Sequence, residues 1–455
     1  MKKYKFAGFQ FYDRDKIQDT LETMAEKGWV LRKTGGILWQ YEKEEGKRYH
    51  VAVVYFPDAT VYDPKPSEKE EFFLDLCAED GWELKVSWGQ MKIFYNEREN
   101  PTPIETDPMT QVENIHKAMK KKGVREAWLN LLLGVYITSM FSWIFFRNPA
   151  EALSQGYSLW LMLDGILMII SSGYGLLSWK LWYGKAVKAA GEGEFLSCRC
   201  NRLFNGIFYV LEGLVLVLMV STFQNRLGLL ALSFLPVILA TVVTVWVTNT
   251  MKDAGVSKKK NLAATMATAI LMTFLTLGAM TYISIHFHLV NPGKPVGTYE
   301  AYGRAWDVYD EDLPLEIEDL MDTEQKEWSK EIDGNGSLFA SQYHYRQWSL
   351  SEKPNIPELR YKITEVKVPF LFDLCLNGLL NQEKDKVQDG EVVWINHYEP
   401  ADPAPWGADN VWQIRGDYGL TSEYLLCYGK TIINLNLWET PTKQQMKIIG
   451  ETFEE

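Results

Sequence analysis

Cysteine is scarce in this chain. Five occur in 455 residues, at Cys77, Cys198, Cys200, Cys375 and Cys427, too few to staple a disulfide-built scaffold. Cations are outnumbered as well, with Lys+Arg at 47 against Asp+Glu at 59. That balance argues against nucleic acid as a partner, because phosphate binding rests on clustered positive charge. Ser-His-Asp order, a phosphate-cradling glycine loop, a metal-ligand cluster and paired acids in a catalytic frame are all missing. No catalytic residue, cofactor or resident metal can therefore be assigned, and an enzyme is the less favoured reading. The opening residues, Met1 to Lys16, carry early lysines but no apolar run of signal-peptide length, and Asp13 and Arg14 close the pattern. The first domain is therefore expected to stay in the cytoplasm.

Long apolar runs are abundant in the middle of the chain, and the mean hydropathy of −0.18 averages over them. Five stand out: Ala127–Phe146, Ser158–Leu177, Leu203–Ser221, Leu227–Val247 and Leu262–His286. Each has the roughly 20 residues that an α-helix needs to cross about 30 Å of hydrocarbon. The cations alternate between the loops. Lys117 to Arg125 precede the first span. Lys180, Lys185, Lys188, Arg199 and Arg202 occupy the second loop, and Lys252 with Lys258, Lys259 and Lys260 the fourth. The first loop offers only Arg147 and the third only Arg226. The positive-inside rule then places the N-terminus in the cytoplasm and, after five spans, the C-terminal domain outside the cell membrane.

Before the spans the chain repeats itself. Ala25-Glu26-Lys27-Gly28-Trp29 and Ala78-Glu79-Asp80-Gly81-Trp82 place their tryptophans 53 residues apart. Each motif closes a helical pattern with a glycine suited to a left-handed cap and opens a strand-like one. Lys5–Phe11 and His50–Phe56 read as the strands before the helices. The expected fold over residues 1–100 is a duplicated βαββ domain on one shared sheet, a ferredoxin-like α+β sandwich. Residues 101–126 read as a basic linker, 127–286 as the five-helix transmembrane bundle, and 290–455 as an acidic extracytoplasmic α+β domain. Trp29 and Trp82 fit core positions better than a ligand-stacking groove.

The Gly-Trp repeats, the basic segment before the spans and Tyr309-Asp-Glu-Asp-Leu-Pro-Leu-Glu-Ile-Glu-Asp-Leu320 together resemble domain-of-unknown-function family 2812. These are bacterial membrane proteins, mainly of Gram-positive organisms, often encoded beside PadR-type regulators. The resemblance implies a plasma-membrane location and brings no catalytic residues with it.

Asp164 in the second span and Glu212 in the third are the acids well inside the apolar stretches, where an ionisable group is a functional candidate by default. They form either a proton- or cation-binding site or a pair of protonated carboxyls hydrogen-bonded to neighbouring helices. Pro236 is expected to kink the fourth span. Cys198 and Cys200 read as ordinary thiols, with palmitoylation as the alternative. His286 and His288 read as interfacial side chains.

From residue 290 on, about 30 acids face 15 bases, a net charge near −15 that suits a solvated surface or a basic partner. A helix is expected over Leu315–Ser329 and another over Phe370–Leu380. Strands are expected at Leu359–Val366, Glu391–Asn396, Val411–Arg415 and Tyr424–Leu435. Glu331–Gly336 reads as a surface turn with a faint likeness to a calcium loop. Cys375 and Cys427 are either a disulfide or two buried thiols. The leading functional reading is a non-enzymatic sensor or regulatory accessory that couples an outer domain to an inner one, with a cytoplasmic protein partner for the first domain. A transporter or transporter accessory using Asp164 and Glu212 is the alternative. Membrane lipid is the one partner the composition itself demands, and the oligomeric state stays open.

Overall fold

In the computed structural model the two N-terminal repeats each build a small sheet of their own. Described are residues 1–6, 9, 13–35, 38–44, 47–197, 202–221, 227–286, 295–301, 304–323, 327–350, 357–388 and 391–454. The first repeat runs β1 (Lys2–Phe6), α1 (Arg14–Glu26), β2 (Trp29–Gly35) and β3 (Leu38–Lys43). The second runs β4 (His50–Tyr55), α2 (Glu68–Glu79), β5 (Glu83–Trp88) and β6 (Met91–Asn96). Both sheets are antiparallel, with orders β1-β3-β2 and β4-β6-β5. The βαββ order thus occurs twice, but the single shared sheet does not: among the described residues no ladder joins the repeats.

What joins them is a common core. In β4 and β6 every second side chain points the same way. Val51, Val53, Tyr55, Met91, Ile93 and Tyr95 meet Ile17, Leu21, Leu31, Trp39 and Tyr41 of the first repeat. The intervening Ala52, Val54 and Phe94 pack with Cys77 and Trp82 beside α2. The second sheet is therefore buried on both faces, which is why its strands read as continuous apolar runs. Gly28 (φ 76°) and Gly81 (φ 85°) end the two helices in the left-handed region. Their N–H groups bond Ala25 O at 2.8 Å and Ala78 O at 2.9 Å, as the Gly-Trp motif demands.

The stretch read as a linker is instead largely a docked helix, α3 (Pro108–Lys121), started by the Asp107 cap and Pro108. Val112, Ile115, Ala118 and Met119 recur at helical spacing and are all buried. That periodicity, hidden among basic residues, turns a connector into a core element.

Long helices follow: α4 (Gly123–Arg147), the short α5 (Pro149–Gln155), α6 (Tyr157–Gly191), α7 (Arg202–Ser221), α8 (Leu227–Asp253) and α9 (Lys258–His286). Among the described residues three helical stretches, Pro108–Arg147, Tyr157–Gly191 and Lys258–Ile283, are long and apolar enough to cross a membrane. α7 and α8 lie on the third and fourth apolar runs, and α8 continues through Pro236. Cys198, Cys200 and His288 lie outside the described residues.

The C-terminal part begins with the hairpin β7 (Gly297–Ala301) and β8 (Arg304–Val308) and the one-turn α10 (Ile317–Leu320). Of the helix expected over Leu315–Ser329, the described residues hold only that turn, and Met321 is already extended. A long hairpin follows, β9 (Trp328–Gly336) and β10 (Ala340–Ser349), then β11 (Leu359–Val366) and α11 (Phe372–Leu380). Glu331–Gly336, read as a surface turn, belongs to β9. Further strands are β12 (Lys386–Gln388), β13 (Glu391–Trp394), β14 (Asn396–Ala401), β15 (Asn410–Gly416), β16 (Gly419–Tyr428) and β17 (Thr431–Asn436), before the final α12 (Lys443–Phe453). Seven of the strands from β9 onward form one antiparallel sheet in the order β14-β15-β16-β17-β11-β10-β9. The single strand expected over Tyr424–Leu435 is the β16–β17 hairpin. One sheet face packs on Leu315, Ile317, Trp406 and Ile449. The other packs on α5 and α11.

The chain divides into two compact units. One comprises Met1–Val135, Ile166–Gly213 and Ala231–Met280; the other comprises Tyr136–Gly165, Leu214–Leu230 and Thr281–Glu455.

Candidate functional site

The first unit shows how the N-terminal repeats hold the long helices. α3 presents His116, whose ring stacks on Tyr183 of α6 at 3.7 Å between centroids and on Trp179 at 5.1 Å. Among the described residues the buried His116 Nδ1 and Trp179 Nε1 atoms have no hydrogen-bond partner, so flat ring stacking accounts for this contact. Beside it Val112 packs on Ala186 and Ala190, small residues that let the two helices approach closely. Trp182 Nε1 donates to Leu196 O at 3.2 Å. Arg14 of α1 closes the cluster: its Nε donates to Val53 O at 2.8 Å, and its guanidinium lies 5.1 Å from the Phe195 ring. A second tie forms at the turn between α8 and α9. The fully buried Asn261 donates to Thr248 O at 3.2 Å and to Tyr62 O at 3.4 Å. Lys258 pairs with Asp63 at 3.4 Å.

Above this clamp lies a cavity of about 440 Å³, bounded by α4, α6, α7 and the β5–β6 turn. Glu212 lines it, together with Lys122, Glu126, Asn130, Ser172 and Tyr209. Lys122 Nζ sits 4.4 Å from the Trp88 ring centroid, a cation–π distance. Asp164, on α6, is not part of the lining; it belongs to the second unit. Trp82 is a core residue whose Nε1 donates to Thr102 O at 2.8 Å, and Trp29 lies half-buried under Lys3 Nζ at 5.2 Å. Among the described residues no group of three metal-ligating side chains occurs.

In the second unit the short connection between α4 and α6 is part of a folded core. Ala150 and Leu153 of α5 pack with Ala340, Val366, Cys375, Leu379 and Cys427. Ser337 Oγ donates to Leu153 O at 2.6 Å, and Ser158 Oγ at the start of α6 donates to Ala152 O at 2.7 Å. Cys375 and Cys427 are both free thiols in this core. Burial pushes them up to about 11 and about 12 respectively, so both are neutral and inert toward thiolate chemistry. On the exposed edge, His397 Nδ1 lies 2.8 Å from Asp385, and Arg415 Nε donates to Glu399 at 2.6 Å. The Asp385 carboxylate raises the His397 pKa above its ordinary value.

α3, the His116 stack and the α5 docking carry no motif. A signal for α3 exists only in its apolar spacing.

Residues 13–125 match the model of a family described as Protein of unknown function (DUF2812), which bears out the resemblance read from the repeats. The match runs from just before α1 to the start of α4 and so covers the duplication and α3. No curated protein and no solved structure matches the chain.

Proposed function

We propose that this chain is a multi-pass membrane protein coupling an outer domain to a cytoplasmic one, as a sensor or regulatory accessory. In this reading α4, α6, α7, α8 and α9 are five spans of a bacterial cell membrane, with the N-terminal repeats inside. The basic loops support that orientation. Lys258 pairs with Asp63 of the repeats, and Phe195 meets Arg14, so the cation-rich connections share a unit with the N-terminal domain. The cation-poor connection after Arg147 shares a core with the C-terminal domain instead.

One observation carries the coupling idea. α6 is a single helix of 35 residues, about 52 Å long at 1.5 Å per residue, against roughly 30 Å of hydrocarbon. Its first turn is bonded to α5 in the outer core, and its last turns are clamped by His116 and Val112. A shift or rotation imposed at one end therefore meets packed side chains at the other.

Coupling free energy is reciprocal, and the test uses that. Full-length protein in nanodiscs is compared with the double variant His116→Ala/Tyr183→Ala by hydrogen exchange. Coupling predicts altered protection in α5 and α11 as well as in α3. A change confined to the N-terminal unit rejects it. A second reading, transport or an accessory role in it, rests on Glu212 lining the cavity. It predicts solute- or pH-dependent growth defects in Glu212→Gln and Asp164→Asn cells, and a lack of any such defect removes it.

A further inference from the structure

The outer domain is strongly acidic, yet one face of its seven-stranded sheet gathers cations. The strand register is responsible. β10 and β11 pair so that Ala340 faces Val366, Gln342 faces Thr364, His344 faces Lys362 and Arg346 faces Arg360. Alternate residues share a face, so all eight side chains line one side of the sheet. The series begins apolar under α5 and α11. It becomes neutral and polar where Gln342 Nε2 donates to Thr364 Oγ1 at 2.9 Å. It ends in two successive cross-strand pairs of basic side chains. Arg346 and Arg360 set like charges directly opposite one another, which destabilises a sheet, and an anion would relieve that cost.

The two pairs are balanced differently. Arg360 Nε donates to Glu358 at 2.6 Å. Arg346 lies 3.5 Å from Glu358 and 3.8 Å from Glu331. Among the described residues Lys362 and His344 have neither a hydrogen bond nor an ion pair. Glu151 and Asp333 reach them only through the electrostatic field. Burial lowers the pKa of both groups, and the Lys362 charge lowers that of His344 further. These four side chains, with Asn434 and Asn436 of β17, line a cavity of about 410 Å³.

We propose that this cavity binds a phosphate-type oxyanion, met by Lys362 and His344 on its floor and by Arg346 and Arg360 at its rim. A tetrahedral oxyanion offers several acceptors at once. It suits a lysine point charge combined with forked guanidinium donors. The phosphate belongs either to a free solute or to the headgroup of an anionic lipid. Binding itself does not depend on the coupling reading; only a role for the anion as the sensed signal rests on it.

The test titrates inorganic phosphate into the full chain in phosphatidylcholine nanodiscs by calorimetry, with chloride at matched ionic strength as the control. Saturable binding is expected, weakened at least about tenfold in Lys362→Met, as loss of a charged hydrogen-bond partner implies. Lys362→Arg should recover most of it, and near-ultraviolet circular dichroism confirms that each variant folds. Nanodiscs containing phosphatidylglycerol separate the sources: weakened phosphate binding there assigns the site to lipid headgroups, and unchanged binding assigns it to a free solute. Either outcome supports the site. Phosphate binding that persists undiminished in folded Lys362→Met overturns it. So does wild-type protein that binds no phosphate in phosphatidylcholine and retains phosphatidylglycerol no better than the variant. Phosphate binding alongside a failed hydrogen-exchange test would leave the site standing and remove the coupling.

Discussion

Gly378→Ala is the sharpest local probe of how α5 is held. Gly378 lies in α11, and a Cβ added there would meet Pro149 at the start of α5, with the ring Cγ only 2.9 Å away and Cδ closer still. Ordinary contact begins near 3.4 Å, so α5 must retreat by at least about 0.5 Å. A proline ring cannot swing aside as a lysine tip would. The retreat stretches the Ser337 Oγ bond to Leu153 O and loosens Ala150 and Leu153, which are 0% and 2% exposed. Overpacking of this kind costs about 1–3 kcal/mol, offset by the roughly 0.5–1 kcal/mol that alanine gains over glycine in a helix. Taking the middle of each range, the net loss is about 1.25 kcal/mol, or about eightfold faster amide exchange in α11 at 1.4 kcal/mol per factor of ten. Gly184→Ala, with nothing within 4 Å of its Cβ, serves as the control and should exchange no faster than wild type. If α11 in folded Gly378→Ala exchanges as slowly as in wild type, the tight docking of α5 is refuted.

Three further outcomes follow from the packing. Lys92 and Glu70 form an ion pair at 3% and 5% exposure, so Lys92→Met should cost about 3–5 kcal/mol by stranding the carboxylate. The double variant Lys92→Met/Glu70→Leu should recover most of that in urea unfolding. Gly450→Ala places a Cβ 2.8 Å from the Trp406 carbonyl carbon, a backbone contact that cannot yield, and should lower the thermal midpoint of the C-terminal domain. The Asp385 carboxylate raises the His397 pKa in the folded state. Any stability it lends is therefore full below its unfolded pKa of about 6.5 and is lost as pH rises through the higher folded value. Proton NMR should find its midpoint above 6.5, returning toward 6.5 in Asp385→Asn.

The N-terminal repeats were legible because their signals are local. The Gly28 and Gly81 caps, the Ala-Glu-Xaa-Gly-Trp spacing and the apolar periods of α1, β4 and β6 lie within short windows, and the family match falls on the same residues. α3 escaped because Lys117, Lys120, Lys121 and Lys122 dominate its composition while Val112, Ile115, Ala118 and Met119 do the packing. The hairpin turn at Gly429 hid between two apolar strands that read as one. The basic face of the C-terminal sheet was out of reach for a different reason. His344 and Lys362 are 18 residues apart in sequence and become neighbours only through the β10–β11 register, which no single-strand pattern specifies. Asp164 and Glu212 were found by hydropathy, but which residues share the Glu212 cavity depends on helix packing that composition does not encode.

In the proposed topology the N-terminal repeats and the C-terminal sheet domain face opposite sides of the membrane. Its direct test is labelling of intact cells with a membrane-impermeant maleimide, using Lys47→Cys and Tyr418→Cys in turn in a Cys198→Ser/Cys200→Ser background. Both positions are solvent-exposed, Tyr418 at the tip of the β15–β16 hairpin, whereas the native Cys77, Cys375 and Cys427 are buried and are not expected to compete in folded protein. Tyr418→Cys is expected to label in intact cells and Lys47→Cys only after permeabilisation. Labelling of both from the same side would contradict the topology, and coupling across the membrane would fall with it.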